Sequence, residues 1–152
     1  MTITATSSVR IAVDVLAPHI NKAMNQLDAA SRRVELESSL LDLVRARVSQ
    51  LNGCAYCVDT HTRDARTGGD SEQRLFALPV WRDTPFFNAR ERAALDLAEA
   101  ATRLTDGPFD EAVLHRAAEV FTETELAELL WTVAVMNAWN RLGVVARPWA
   151  LT

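Results

Sequence analysis

Three side chains in one short run can exchange protons and electrons: Cys54, Cys57 and His61, in the segment Cys54-Ala-Tyr-Cys57-Val-Asp-Thr-His61. If Cys54 opens a helix, Cys57 and His61 follow three and seven residues on, and helical rotation puts all three within roughly 60° of arc. Helical residues three apart stand at about 5 to 6 Å, inside the range a disulfide bridges, so the pair can close and reopen without refolding. Closing so short a loop contributes at most on the order of 2 kcal/mol, which suits cycling better than stapling. Backbone N–H groups at a helix start lower a thiol pKa from its free value of about 8.5, which favours Cys54, the nearer to that end. His61 titrates near neutral pH and can exchange a proton with a thiol or a peroxide oxygen.

Other uses of the same residues stay open. A zinc site needs a fourth ligand beyond Cys54, Cys57 and His61, for which His19, His115, Asp42 and Asp59 are the candidates. Two small apolar cysteines and a satisfied histidine on a buried face would be purely structural. Attached haem is excluded, because Val58 rather than His follows the second cysteine. Arg45, Arg47, Arg63 and Arg66 flank the run and either add positive potential or are solvated helix residues.

The elements that must hold these residues read as helices. Pro18 suits the first turn of one that passes Met24 and Leu27 toward Arg32. Leu40, Leu41, Val44, Val48 and Leu51 recur at helical spacing in a second, beginning near Glu35 or Ser38 and ending at Asn52-Gly53. The cysteine helix then runs to Gly68-Gly69. A short helix around residues 72–77 precedes a long connection over residues 79–87 that packs by its aromatics. Asn88-Ala-Arg-Glu91 and Thr122-Glu-Thr-Glu125 match the capping box and start two more helices, the first to about Leu104 and the last to about Val145. Asp110 caps another in between. No stretch alternates long enough for a strand.

One domain over residues 1–152 is expected, with residues 1–10 as a loosely held arm. A net charge of -4 and a pI near 5.4 give no electrostatic footprint for nucleic acid. No charged segment feeds a long apolar stretch, so no signal peptide is expected. The longest apolar window, residues 129–139, falls short of the roughly 18 to 20 residues of a membrane span. A cytoplasmic protein is the expectation, and there a close cysteine pair is more at home in redox or metal chemistry than as a staple.

The stretch Leu41-Asp-Leu-Val-Arg-Ala-Arg-Val-Ser-Gln-Leu-Asn-Gly-Cys54-Ala-Tyr-Cys57-Val-Asp-Thr-His61-Thr-Arg-Asp-Ala-Arg66 resembles the core of the alkylhydroperoxidase D and carboxymuconolactone decarboxylase family. Similar proteins carry a loop like Leu78-Pro-Val-Trp81, a helix like Glu91-Arg-Ala-Ala-Leu-Asp-Leu and an ending like Trp139-Asn-Arg-Leu-Gly, so the resemblance spans residues 35–148. It implies an all-α bundle of about six to seven helices that assembles as a homotrimer or hexamer. It also implies a dithiol peroxidase acting on hydroperoxides, with no cofactor beyond the Cys54–Cys57 disulfide and no metal. Cys57 would attack the peroxide and become a sulfenic acid, and Cys54 would condense with it and exchange with a protein disulfide reductant or peroxiredoxin partner. His61 would relay protons with a carboxylate twelve residues before the first cysteine, here Asp42. This reverses the helix-terminus ranking of the thiols, and is preferred because a relay aimed at one sulfur can outweigh a terminus effect of about 0.3 to 1 kcal/mol.

Two positions depart from the pattern. The relay carboxylate is usually Glu, one methylene longer than Asp42, and the best-characterised members carry His where this chain has Tyr56. Tyr56, an accessory candidate, can donate a hydrogen bond but cannot take up a proton near neutral pH. The alternatives are a redox-sensing or zinc-binding module without turnover, and a carboxymuconolactone decarboxylase-like enzyme. The decarboxylase fits less well because it needs no dithiol.

Overall fold

Pro18 sets the first boundary. Proline disfavours helical conformation in the residue before it, and Ala17 takes φ −129°, ψ 62°. The chain is thereby cut into a one-turn helix α1 (Val13–Leu16) and a longer α2 (Pro18–Ala30). The computed structural model describes residues 9–151. Six further helices follow: α3 (Ser38–Asn52), α4 (Ala55–Thr67), α5 (Glu72–Ala77), α6 (Ala89–Thr102), α7 (Glu111–Ala118) and α8 (Glu123–Val145). A 3-10 turn over Leu78–Asp83 joins α5 to α6. Among the described residues there is no strand, and eight helices replace the expected six to seven. The excess arises because α1 separates at Pro18.

Helix α3 is the axis of the bundle, with α4, α6 and α8 packed around it. Leu43, Val44, Ala46 and Val48 are fully enclosed, and the polar Arg45, Arg47 and Ser49 among them are buried as well. A surrounded helix must pair every polar group it carries. Arg47 does so with Glu99, which also accepts from the Trp81 indole at 2.9 Å and from Arg82. Ser49 donates to the Arg45 carbonyl at 2.8 Å.

The turn between α3 and α4 is the feature that places the cysteines. Gly53 adopts φ 69°, a left-handed conformation natural to glycine, and its N–H donates to the Gln50 carbonyl. The Cys54 N–H then donates to the Ser49 carbonyl, so the chain reverses within two residues and α4 starts against the end of α3. Both expected capping boxes form, at Asn88 with Glu91 and at Thr122 with Glu125, and Asp110 caps α7. Trp81 and Phe87 bury as expected of their connection. Of the expected N-terminal arm, residues 1–8 lie outside the described residues. The Arg10 and Ile11 N–H groups both donate to the Ala146 carbonyl at 3.0 Å, which ties residues 10–11 to the end of α8. Among the described residues no helix is long and apolar enough to cross a membrane.

Candidate active site

Cys54 is the N-cap of α4 rather than its first helical residue, and its Sγ accepts the Cys57 N–H at 3.3 Å. The two cysteines are joined in a disulfide with their Cα atoms 5.3 Å apart, as helical spacing requires. Their sulfurs have different surroundings. Cys54 is 1% exposed and lies under α8, where a Cβ added to Gly143 would fall 2.5 Å from its Sγ and 3.4 Å from that of Cys57. Cys57, 4% exposed, borders a cavity of about 240 Å³ together with His61.

His61 is 6% exposed, and its Nδ1 is enclosed without a hydrogen bond. Burial, and then the positive charges of Arg45 and Arg32, push its pKa down to about 4 against the opposing pull of Asp64 and Asp28. The ring is therefore neutral near pH 7. Among the described residues Asp64 is the carboxylate within ion-pairing distance, its Oδ2 3.4 Å from Nδ1. Asp42, the carboxylate expected from spacing, makes no such pair with the ring. It is half-buried, and burial first and repulsion from Asp64 second raise its pKa above the usual carboxylate range. Asp42 and Asp64 are thus electrostatic neighbours, with Asp64 the nearer to the imidazole.

The positive charge beside His61 comes from a buried arrangement. Arg45, 1% exposed, donates through Nη1 to Asp28 Oδ1 at 3.0 Å and through Nη2 to Ser31 Oγ at 2.8 Å. Arg32 donates through Nε to the other Asp28 oxygen at 3.0 Å. Burial alone would raise the Asp28 carboxyl, but Arg32 and Arg45 outweigh it and hold the group ionised. Of the four flanking arginines, Arg45 reaches the site and Arg47 belongs to the Glu99 cluster. Arg63 and Arg66 are exposed and paired with Asp59 and Glu72.

Three elements close the cavity. Helix α4 supplies Tyr56, Cys57 and His61; α2 supplies Asn21, Asn25 and Asp28, and the turn that follows it supplies Arg32. The third wall is aromatic: Trp149, beyond the end of α8, packs on Tyr56 with ring centroids 5.1 Å apart and edge-on to Trp139 at 5.6 Å. Tyr56 therefore contributes a ring to this wall. Asp64, Gly143, Arg32 and the Trp149 wall were not singled out as site residues from the sequence. The position of Asp64 three residues after His61 was a usable signal; the others come from elements whose proximity has no local signature. Among the described residues no group of three His, Cys, Asp or Glu side chains converges as a metal site would require.

Comparison with known proteins places the family and the fold. The family model for the carboxymuconolactone decarboxylase family covers residues 18–100, from the start of α2 through the cysteine helix and most of α6. YdfG, an uncharacterized Bacillus subtilis protein, is 33% identical over 137 residues, 90% of this chain and 93% of YdfG. A solved structure from Agrobacterium tumefaciens, a protein of unknown function proposed to be the antioxidant defence protein AhpD, superposes with a TM-score of 0.91 at 29% identity, covering 95% of this chain and 99% of that one. A peroxidase-related protein with an alkylhydroperoxidase AhpD core, from Ralstonia eutropha, shares the fold with a TM-score of 0.80 at 19% identity, covering 91% of this chain and 74% of that one. With more than half of its length matched by the family model and its cysteine helix inside the match, the chain belongs to the carboxymuconolactone decarboxylase family and is alkylhydroperoxidase D-like.

Proposed function

We propose that the protein is a dithiol peroxidase in which Cys57 reduces a hydroperoxide and Cys54 resolves the product. The observation that carries this reading is the asymmetry of the pair: Cys57 lines the cavity with His61, whereas Cys54 does not and is pressed more tightly against α8. Neutral His61 takes the proton of the Cys57 thiol, and the thiolate attacks the distal peroxide oxygen. The O–O bond breaks, leaving Cys57 sulfenic acid and an alkoxide that recovers the proton from His61 as the alcohol. The Cys54 thiol then displaces water from the sulfenic acid to close the disulfide, and a dithiol reductant, itself oxidised to a disulfide, restores both thiols. Asp64 stabilises the transient imidazolium, with Asp42 behind it as a further proton acceptor. The cytoplasm suits a cycle that needs reducing partners, and assembly as a homotrimer or hexamer follows from family membership.

The test is peroxide consumption coupled to a dithiol reductant, with the thiols counted before and after one equivalent of peroxide. The parent protein should lose two thiols per chain and turn over. Cys57→Ser should abolish consumption, while Cys54→Ser should leave a trappable sulfenic acid. Reactivity that survives in Cys57→Ser but not in Cys54→Ser would exchange the two roles and restore the helix-terminus ranking. A reversible disulfide without turnover would leave a redox sensor instead.

A further inference from the structure

We infer that the cavity selects a small hydroperoxide bearing both a flat apolar group and a carboxylate, with Arg32 as the residue that binds the acid. The inference rests on the peroxidase reading for the reaction, but its binding component stands apart from it. About 240 Å³ is available, and a cavity of about 150 Å³ suffices for benzene. One ring with a short arm therefore fills it. The aromatic wall of Tyr56, Trp149 and Trp139 offers ring faces and edges to such a group.

The opposite wall decides the charge. Asp28 is the acid lining the cavity, and both its oxygens are engaged, one by Arg45 and one by the Arg32 Nε. Asp28 is shared between two guanidinium groups, so it does not satisfy all the donors of Arg32. The bond of Arg32 to Asp28 runs through Nε, which leaves its terminal nitrogens as the donors for a ligand. Asn25 spends its amide N–H on the Asn21 carbonyl at 2.9 Å, and the Asn21 side chain lines the same wall as a further hydrogen-bonding group. Asp42, which attracts Arg32 from outside the cavity, and Asp64 are not among the lining residues, so Asp28 is the carboxylate a ligand would meet there. An ammonium-bearing substrate would meet only a carboxylate already paired twice. A guanidinium presenting two parallel N–H groups is the geometry that recognises a carboxylate.

The experiment uses the full chain and two probes of one shape, phenylacetate and its uncharged amide, titrated calorimetrically and by tryptophan fluorescence. The parent should bind the acid about tenfold more tightly than the amide, as a charge-assisted contact at a partly exposed site allows. Arg32→Gln should bring that ratio to within about threefold, and Arg32→Lys should fall between, because a point charge lacks the fork. Turnover is compared for cumene hydroperoxide and its para-carboxylate, with the kcat/KM ratio shifting in Arg32→Gln in the same direction as the binding ratio. Equal binding of acid and amide by the parent overturns the inference whatever the variants do, and leaves peroxidase activity on the neutral substrate untouched. Acid-selective binding lost in Arg32→Gln, with no peroxide consumed by the parent, retains the binding site and removes the peroxidase reading.

Discussion

His61 links burial to pH. The unfolded chain protonates it near its ordinary 6.5, whereas the folded protein resists until about 4. Between those values the unfolded state binds more protons, so this residue's contribution to stability falls as pH drops from 6.5 to 4 and changes no further below. The full effect is on the order of 3 kcal/mol. Asp42 acts in the opposite sense, since its raised pKa makes the folded state the first to take its proton as pH falls. Denaturation of the oxidised protein across this range, with His61→Gln subtracted, isolates the imidazole; a flat difference between pH 6.5 and 4 would contradict its enclosure. The carboxylates are separable by rate. Asp64→Asn and Asp42→Asn should each lower peroxidase turnover by about 10²-fold or more if both serve the relay, and Asp42→Glu should hold or raise it. A variant within about threefold of the parent marks its carboxylate as a bystander.

Between elements, the decisive approach is that of α8 to the start of α4. Only a residue without a side chain fits at Gly143 opposite Cys54. The disulfide fixes the Cys54 sulfur in the position pressed against α8, while a free thiol can turn to another rotamer. Gly143→Ala should therefore penalise the bridged form by an overpacking cost of about 1 to 3 kcal/mol, moving the dithiol–disulfide equilibrium roughly 5- to 150-fold toward the dithiol. Equilibration in glutathione buffers measures this, and the gain in helix propensity cancels because it applies to both redox forms. An unchanged equilibrium would mean that α8 yields without cost. This approach spans 89 positions of the chain and had no local signal. The helix boundaries did, because Pro18, Gly53 and the two capping boxes act through residues beside them in sequence. Arg45 illustrates the limit: nothing in its surroundings distinguished a solvated arginine from one enclosed beneath α2.

For the whole molecule, the cysteine face was legible because helical geometry dictates it, while the cavity needed α2, α4 and the C-terminal segment together. The four tryptophans of the chain divide in the structure. Trp81 belongs to the core, Trp139 and Trp149 are half-buried at the cavity, and Trp131 is 60% exposed. Trp131 is thus the tryptophan left for an interface. Light scattering at micromolar concentration should give a trimer or hexamer, and Trp131→Arg should shift it toward smaller species. A monomeric parent would remove the assembly and weaken the transfer of family properties.

The burial of Cys54 has a consequence in time. Gly143 packs against the Cys54 sulfur, and beside it Trp149, past the end of α8 and held by ring contacts with Tyr56 and Trp139, forms a flap. A bulky reductant must wait for that flap to lift, so reduction should saturate with reductant concentration at the rate of opening, and oxidised molecules should persist after the oxidant is gone. Stopped-flow reduction that stays linear in a protein dithiol, or a plateau unaltered by Trp149→Ala, would show that no flap is involved. If the plateau exists, each chain keeps a brief record of its last oxidation, with a lifetime set by one indole.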